Sequence, residues 1–131
     1  MSHPAARVIW FIAVGCAAAA THLGVVILLV SGAGLLPLVA NVLGWLVAFV
    51  VSFSGHWLLT FRSQQAPLGR AARRFFGVSL SGFLVNEVAY AILLRWSGMR
   101  YDLVLAIVLV GVAVITYLLS SRWAFLGSHA R

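Results

Sequence analysis

Long apolar runs with almost no charge in them constrain this chain before anything else does. Four of them, residues 8–30, 35–59, 75–94 and 103–119, suit a hydrocarbon core of about 30 Å crossed at 1.5 Å per helical residue. Thr116, Tyr117, Ser120 and Ser121 carry the last run toward the interface, as far as residue 121. Backbone polar groups in lipid must be satisfied within the segment, so such runs are helices. Only 8% of the 131 residues are charged against 63% hydrophobic, and mean hydropathy is +1.08. A soluble domain carries about 25% charged residues, so this chain has too little polar surface to face water. The expectation is an all-α polytopic membrane protein, with four transmembrane helices in one domain over residues 1–131.

The net charge of +7 would point to nucleic acid in a soluble chain. Here it reports topology, and no nucleic-acid partner is expected. All nine basic residues are Arg. Arg7, Arg62, Arg70, Arg73, Arg74, Arg122 and Arg131 share one side of a four-span chain, while Arg95 and Arg100 fall on the other. The positive-inside rule places the seven-Arg side, with both termini, in the cytoplasm. The N-terminal run also imitates a signal peptide, but an h-region holds about 7–15 residues and this run continues to Val30, so a retained span is expected. Cys16 is the single cysteine and can form no internal disulfide.

The chain aligns on itself without a gap at an offset of 64: Phe11 on Phe75, Val14 on Val78, Leu29 on Leu93, Gly34 on Gly98, Val50 on Val114 and Phe61 on Phe125. Softer matches set His22 on Asn86, Ser52 on Thr116 and Phe53 on Tyr117. Each half is a helical hairpin, and both halves enter the membrane in the same direction. That predicts parallel repeats about an axis along the membrane normal, an arrangement that transporters use.

Trp10, Trp57 and Trp123 fall at cytoplasmic span ends, and Trp96 and Tyr101 flank the external loop, as an interfacial belt requires. Trp45 breaks this pattern inside the second span, where it either packs between helices or lines a cavity. Gly44, Ala48, Ser52 and Gly55 make a small-residue face on the second span, and Ser79, Gly82, Asn86 and Tyr90 make one on the third. Such faces let helix backbones approach closely in lipid.

Glu87 is the only acidic residue inside a span. It lies about 18 Å along the third span and His22 about 21 Å along the first, by the 1.5 Å rise, while Asn41 reaches a similar depth from the opposite side. His22, Asn41, Asn86 and Glu87 are therefore expected in one polar layer. A charge there costs at least ~2.5–3.5 kcal/mol, so the group must be paired, neutral, or facing protein or water. One reading is a structural His22–Glu87 hydrogen bond; the other is a lining for polar cargo or a proton site. Asp102 is expected to cap a helix or to pair with Arg100.

A second cluster is expected at the cytoplasmic mouth. Ser52, Ser54, His56, Trp57 and Arg62 come from one half, with Thr116, Tyr117, Ser120, Ser121, Arg122 and Trp123 from the other. Arg beside hydroxyl groups suits a phosphate, and indole faces suit sugars, although belt duty and headgroup contact use the same residues. The sequence has no phosphate-cradling Gly-rich loop ending in Lys, no Cys/His set with metal spacing and no Ser/His/Asp constellation. Neither an enzyme nor a cofactor is expected.

The mouth motifs resemble those of the GtrA-like family of four-span membrane proteins, and the resemblance extends over nearly the whole chain. The family carries Ser-Phe-x-x-Asn-Arg-x-Trp-x-Phe near the end of its second span. Here Ser52, Phe53 and Phe61 match, while His56, Trp57 and Leu59 stand at the Asn, Arg and Trp positions. A related pattern closes the fourth span in Trp123 and Phe125, with Arg122 beside the expected place. Phe11 and Gly15 before Thr21, and Gly82 before Asn86, are similar to the family's first-span and third-span patterns. The resemblance implies a role in cell-surface polysaccharide synthesis at the bacterial inner membrane, moving a polyprenyl-phosphate-linked sugar between leaflets. Under that implication Arg62, Arg122 and nearby hydroxyls take the phosphate, and the deeper layer takes the sugar. Four helices enclose little volume, so a homo-oligomer is expected. The alternatives are an anchor that recruits a glycosyltransferase and a small proton-coupled cation or multidrug exporter using Glu87.

Overall fold

Pro4 opens the first helix and Pro37 the second, both in the first turn, where the missing N–H has no helical acceptor to lose. A computed structural model of the chain describes residues 3–60 and 67–126, with 116–126 described by backbone alone. Helix α1, Pro4–Ile27, runs on through a π-helical turn, Leu28–Gly32, and α2, Pro37–Gly55, through a second π turn, His56–Thr60. Helices α3, Leu68–Ser97, and α4, Tyr101–Leu126, complete an all-α fold with no strand among the described residues. The stretches Pro4–Gly32, Pro37–Thr60 and Leu68–Ser97 are long and apolar enough to cross a membrane, and the shorter apolar stretch Tyr101–Ile115 belongs to α4. The chain is a multi-pass membrane protein.

Helix α3 departs from the expected limits. It has 30 residues and carries Arg70, Arg73 and Arg74 in its first two turns, whereas the apolar run begins only at Phe75. Hydropathy marks where lipid begins, but helical hydrogen bonding need not stop at that border, and Arg and Ala are good helix formers.

The helices form a ring in which α1 packs on α2, α2 on α3, α3 on α4 and α4 back on α1. Gly34 and Gly98, superposed by the 64-residue offset, both turn with positive φ, +70° and +65°. That region strains residues with a Cβ, so glycine at both hairpin turns has a backbone cause.

Two ends can be distinguished by chemistry. The hairpin-turn end holds the buried apolar cluster of Val26, Ala40, Tyr90, Val104, Leu105 and Val108. There the Ser31 and Tyr101 hydroxyls are hydrogen-bonded, and Tyr90 Oη donates to the Tyr101 carbonyl at 3.1 Å. The arginine-rich end, where α1 and α3 begin and α2 finishes, is held instead by aromatic rings. Large apolar side chains such as Val78, Val110 and Leu28 point outward all around the bundle, which lipid requires and water would penalise.

Candidate functional site

The first hairpin sets the site's geometry through two glycines. A Cβ on Gly44 would lie 2.9 Å from His22 Cδ2 and from Val26 Cγ2, and one on Gly55 would lie 2.7 Å from Val14 Cγ1. Glycine at both positions lets α2 press against α1, as expected of a small-residue face in lipid. This contact aims His22 at Asn41.

Asn41 is fully buried and bonds through both ends of its side-chain amide. Its Oδ1 accepts from His22 Nε2 at 2.7 Å, while Nδ2 donates to Asn86 Oδ1 at 2.9 Å and to Glu87 Oε2 at 2.6 Å. An amide offers two acceptor sites and two donors, and both donors are spent on α3. The four polar residues of the expected layer thus meet around one hub. The direct His22–Glu87 hydrogen bond considered from sequence is not formed, because Asn41 stands between the two and bonds each. His22 and Asn86, equivalent in the two halves, meet on this one amide.

Beside the hub lies a cavity of about 180 Å³ with walls from all four helices, including His22, Trp45, Ser79, Phe83, Asn86 and Leu109. Trp45 does both things considered for it. Its ring stacks on Phe83 with centroids 4.5 Å apart, and its Nε1 donates to Ser79 Oγ at 2.9 Å. Exposed Gly82 leaves the α3 side of the cavity without a covering side chain. From Trp45 a series of rings continues through Phe76, Phe49, Phe75 and Phe53 to Trp57 at the arginine-rich end.

The mouth residues divide. His56 is buried, shares a 3.0 Å hydrogen bond between Nδ1 and Thr60 Oγ1, and stands between the rings of Phe11 at 5.0 Å and Phe75 at 5.9 Å. Those two phenylalanines are equivalent in the repeat. Trp57 stacks on Phe53 at 6.1 Å, and Ser52 is half-buried. Arg62 lies outside the described residues, and Ser120, Arg122 and Trp123 belong to α4 beyond the described side chains, as do Thr116, Tyr117 and Ser121. Asp102 pairs with Arg100 at 3.0 Å and accepts from the Leu103 N–H. No group of three or more His, Cys, Asp or Glu side chains among the described residues is placed to hold a metal.

Three participants were not foreseen as partners. Ser79 appeared only as a small residue, Thr60 drew no notice, and Arg7 appeared only as a topology signal. Arg7 Nε is buried without a hydrogen-bond partner in the described structure, an arrangement that costs about 1–3 kcal/mol. Thr60 could have been suspected from its position four residues beyond His56 on a helical face.

A helical membrane bundle with a buried amide hub and an adjoining, mainly apolar cavity is the class of protein that these features define. The family model for the GtrA/DPMS transmembrane domain matches residues 10–125, and the chain belongs to that family. It is accordingly a membrane protein of glycosyl-lipid or polysaccharide synthesis. Neither the curated proteins nor the solved structures contain a match to it.

Proposed function

We propose that the chain moves a polyprenyl-phosphate-linked sugar from the cytoplasmic to the external leaflet of the bacterial inner membrane. The observation that carries this reading is the cavity of about 180 Å³ beside the Asn41 hub, a mainly apolar recess with a few polar groups in its wall. A sugar cannot cross hydrocarbon unaided, since each unsatisfied polar group costs several kcal/mol there. His22 and Asn86 would meet sugar hydroxyls, and the Trp45 face would meet the apolar side of the ring. The volume lies below the ~300–1,000 Å³ typical of drug-sized ligands, which favours a head of one sugar over an oligosaccharide. The polyprenyl tail stays in lipid, and a second copy of the chain completes the groove. In this reading the chain is a carrier and performs no covalent chemistry.

Vesicles reconstituted with the protein and a labelled polyprenyl-phosphate sugar test the reading. Wild type should expose the label to the opposite leaflet, and Asn41→Leu and Trp45→Ala should slow it at least tenfold. Equal rates in all three would remove the proposed route.

A second reading, an anchor that recruits a glycosyltransferase, is favoured by one observation. Arg70, Arg73 and Arg74 are displayed on the extended start of α3. It predicts that neutralising these three abolishes glycosyltransferase co-purification while substitutions in the cavity leave glycosylation intact. Cation export through Glu87 has less support, because the carboxylate is engaged by Asn41 and Glu87 does not line the cavity.

A further inference from the structure

Arg7 has a place in this bundle that topology does not explain. It sits in the first turns of α1 among Val8, Phe11 and Ile12, all more than half exposed to the lipid side. Its own side chain is only half-buried, yet its Nε is covered and finds no hydrogen-bond partner in the described structure. The stem and Nε are held against protein while the rest of the guanidinium reaches outward, the usual posture of a long cationic side chain at a membrane boundary.

The chain has two acidic residues; Glu87 is engaged at the Asn41 hub and Asp102 is paired with Arg100. Among the described residues, no carboxylate is left to serve Arg7. Arg73 differs: it is exposed, and its Nε donates to the Gly69 carbonyl.

The space beside Arg7 indicates what kind of anion suits it. A crevice of about 150 Å³ is lined by Arg7, Val8, Phe11 and Thr60. Thr60 is 2% exposed and its hydroxyl is held by His56, which in turn stacks on Phe11. The crevice surface is wholly apolar, with the Arg7 stem forming part of it, and the accessible fork of the Arg7 guanidinium lies outside that surface. Free phosphate would leave that wall unused, and a neutral lipid would leave the fork unused. A lipid phosphate satisfies both, with its oxygens on the planar donors and its first hydrocarbon units along Val8 and Phe11.

We infer that Arg7, with the Phe11–Thr60 crevice, binds the phosphate of a phosphate-bearing lipid at the arginine-rich end of the bundle. This assignment rests on the proposed transport reading only for the lipid's identity, a polyprenyl monophosphate, and not for the phosphate contact. Bulk phospholipid carries the same chemistry and is separated by experiment.

The test uses the full-length protein in detergent micelles with a fluorescent polyprenyl monophosphate, read by anisotropy. Arg7→Gln should weaken binding roughly tenfold or more, as expected when a charge-assisted contact is lost. Arg7→Lys should fall between, which separates loss of charge from loss of fold, and Arg95→Gln, in the last turn of α3 at the opposite end, should match wild type. The corresponding polyprenol, lacking phosphate, should bind weakly and equally to wild type and Arg7→Gln. Competition by phosphatidylglycerol at equal concentration would support the phosphate site but assign it to bulk lipid. Competition by inorganic phosphate as strong as by the lipid, or unchanged affinity in Arg7→Gln, would overturn the inference. If Arg7-dependent binding is observed and wild type flips nothing, the transport reading fails and the site stands. If wild type flips and Arg7→Gln both flips and binds at the wild-type level, the site alone fails.

Discussion

Val14 and Val78 hold equivalent places in the two hairpins, yet Val14 is 6% exposed and Val78 is 75% exposed. The cause lies in what each hairpin offers opposite. Val14 meets Gly55, which has no side chain to keep α2 away, and the residue 64 positions beyond Gly55 is Leu119. Gly44, which admits His22 and Val26, corresponds in the same way to Val108. The first hairpin is therefore zipped along its length, whereas the second lacks both glycines, and its Phe83, Asn86 and Leu109 help line the cavity. The two hairpins thus differ in packing: the first is held tightly by its glycines, while both contribute to the cavity wall.

Exchanging residues between the halves removes this difference, and Gly44→Val should have the largest effect. It installs the Val108 side chain where even a Cβ would come within 3.1 Å of the His22 carbonyl oxygen, which cannot swing aside. Overpacking costs about 1–3 kcal/mol and sometimes more. The upper end is expected here, seen as loss of monodisperse protein on gel filtration. Asn41→Leu follows, since it copies the residue at its equivalent, Leu105. It strands the His22 donor and the acceptors on Asn86 and Glu87. Interhelical hydrogen bonds in membranes average about 0.6 kcal/mol, and stranded buried groups cost about 1–3 kcal/mol. A loss of roughly 2 kcal/mol in reversible unfolding from mixed micelles is expected.

The valine pair sharpens the contrast. Val14→Ala should cost about 1 kcal/mol through lost packing, while Val78→Ala stays within about 0.5 kcal/mol in the same unfolding assay. Equal effects would show that the hairpins are packed alike. Tyr101→Phe is the smallest change, severing the bond to Ser31 while the backbone carbonyl still serves Tyr90. Roughly 0.5 kcal/mol is expected.

Much of the architecture was legible in the sequence because lipid leaves the backbone few choices. The helices, the matched turn glycines and the common depth of His22, Asn41, Asn86 and Glu87 all follow from apolar length, the repeat and the rise per residue. Depth, however, is only one coordinate. Which way a side chain points around its helix depends on how neighbouring helices rotate against one another, and Gly44 and Gly55 settle that for α1 and α2 by close approach. That is why Asn41 as hub, Trp45 with Ser79, and Arg7 beside Thr60 were not anticipated as partnerships. The start of α3 was missed for a different reason: apolar content reports lipid, not hydrogen-bonded helix.

The π turn Leu28–Gly32 gives the hairpin-turn end of the bundle an unusual dependence. A π turn uses i→i+5 bonding and holds an extra residue relative to α geometry. Ser31 lies within it and meets Tyr101 from there. Rewinding to α geometry would rotate Ser31 by as much as one residue's share of a turn, about 100°, and draw its hydroxyl off the tyrosine. The latch at this end can thus be undone by a local change of helical register, with the glycine-zipped seam between α1 and α2 left as it is.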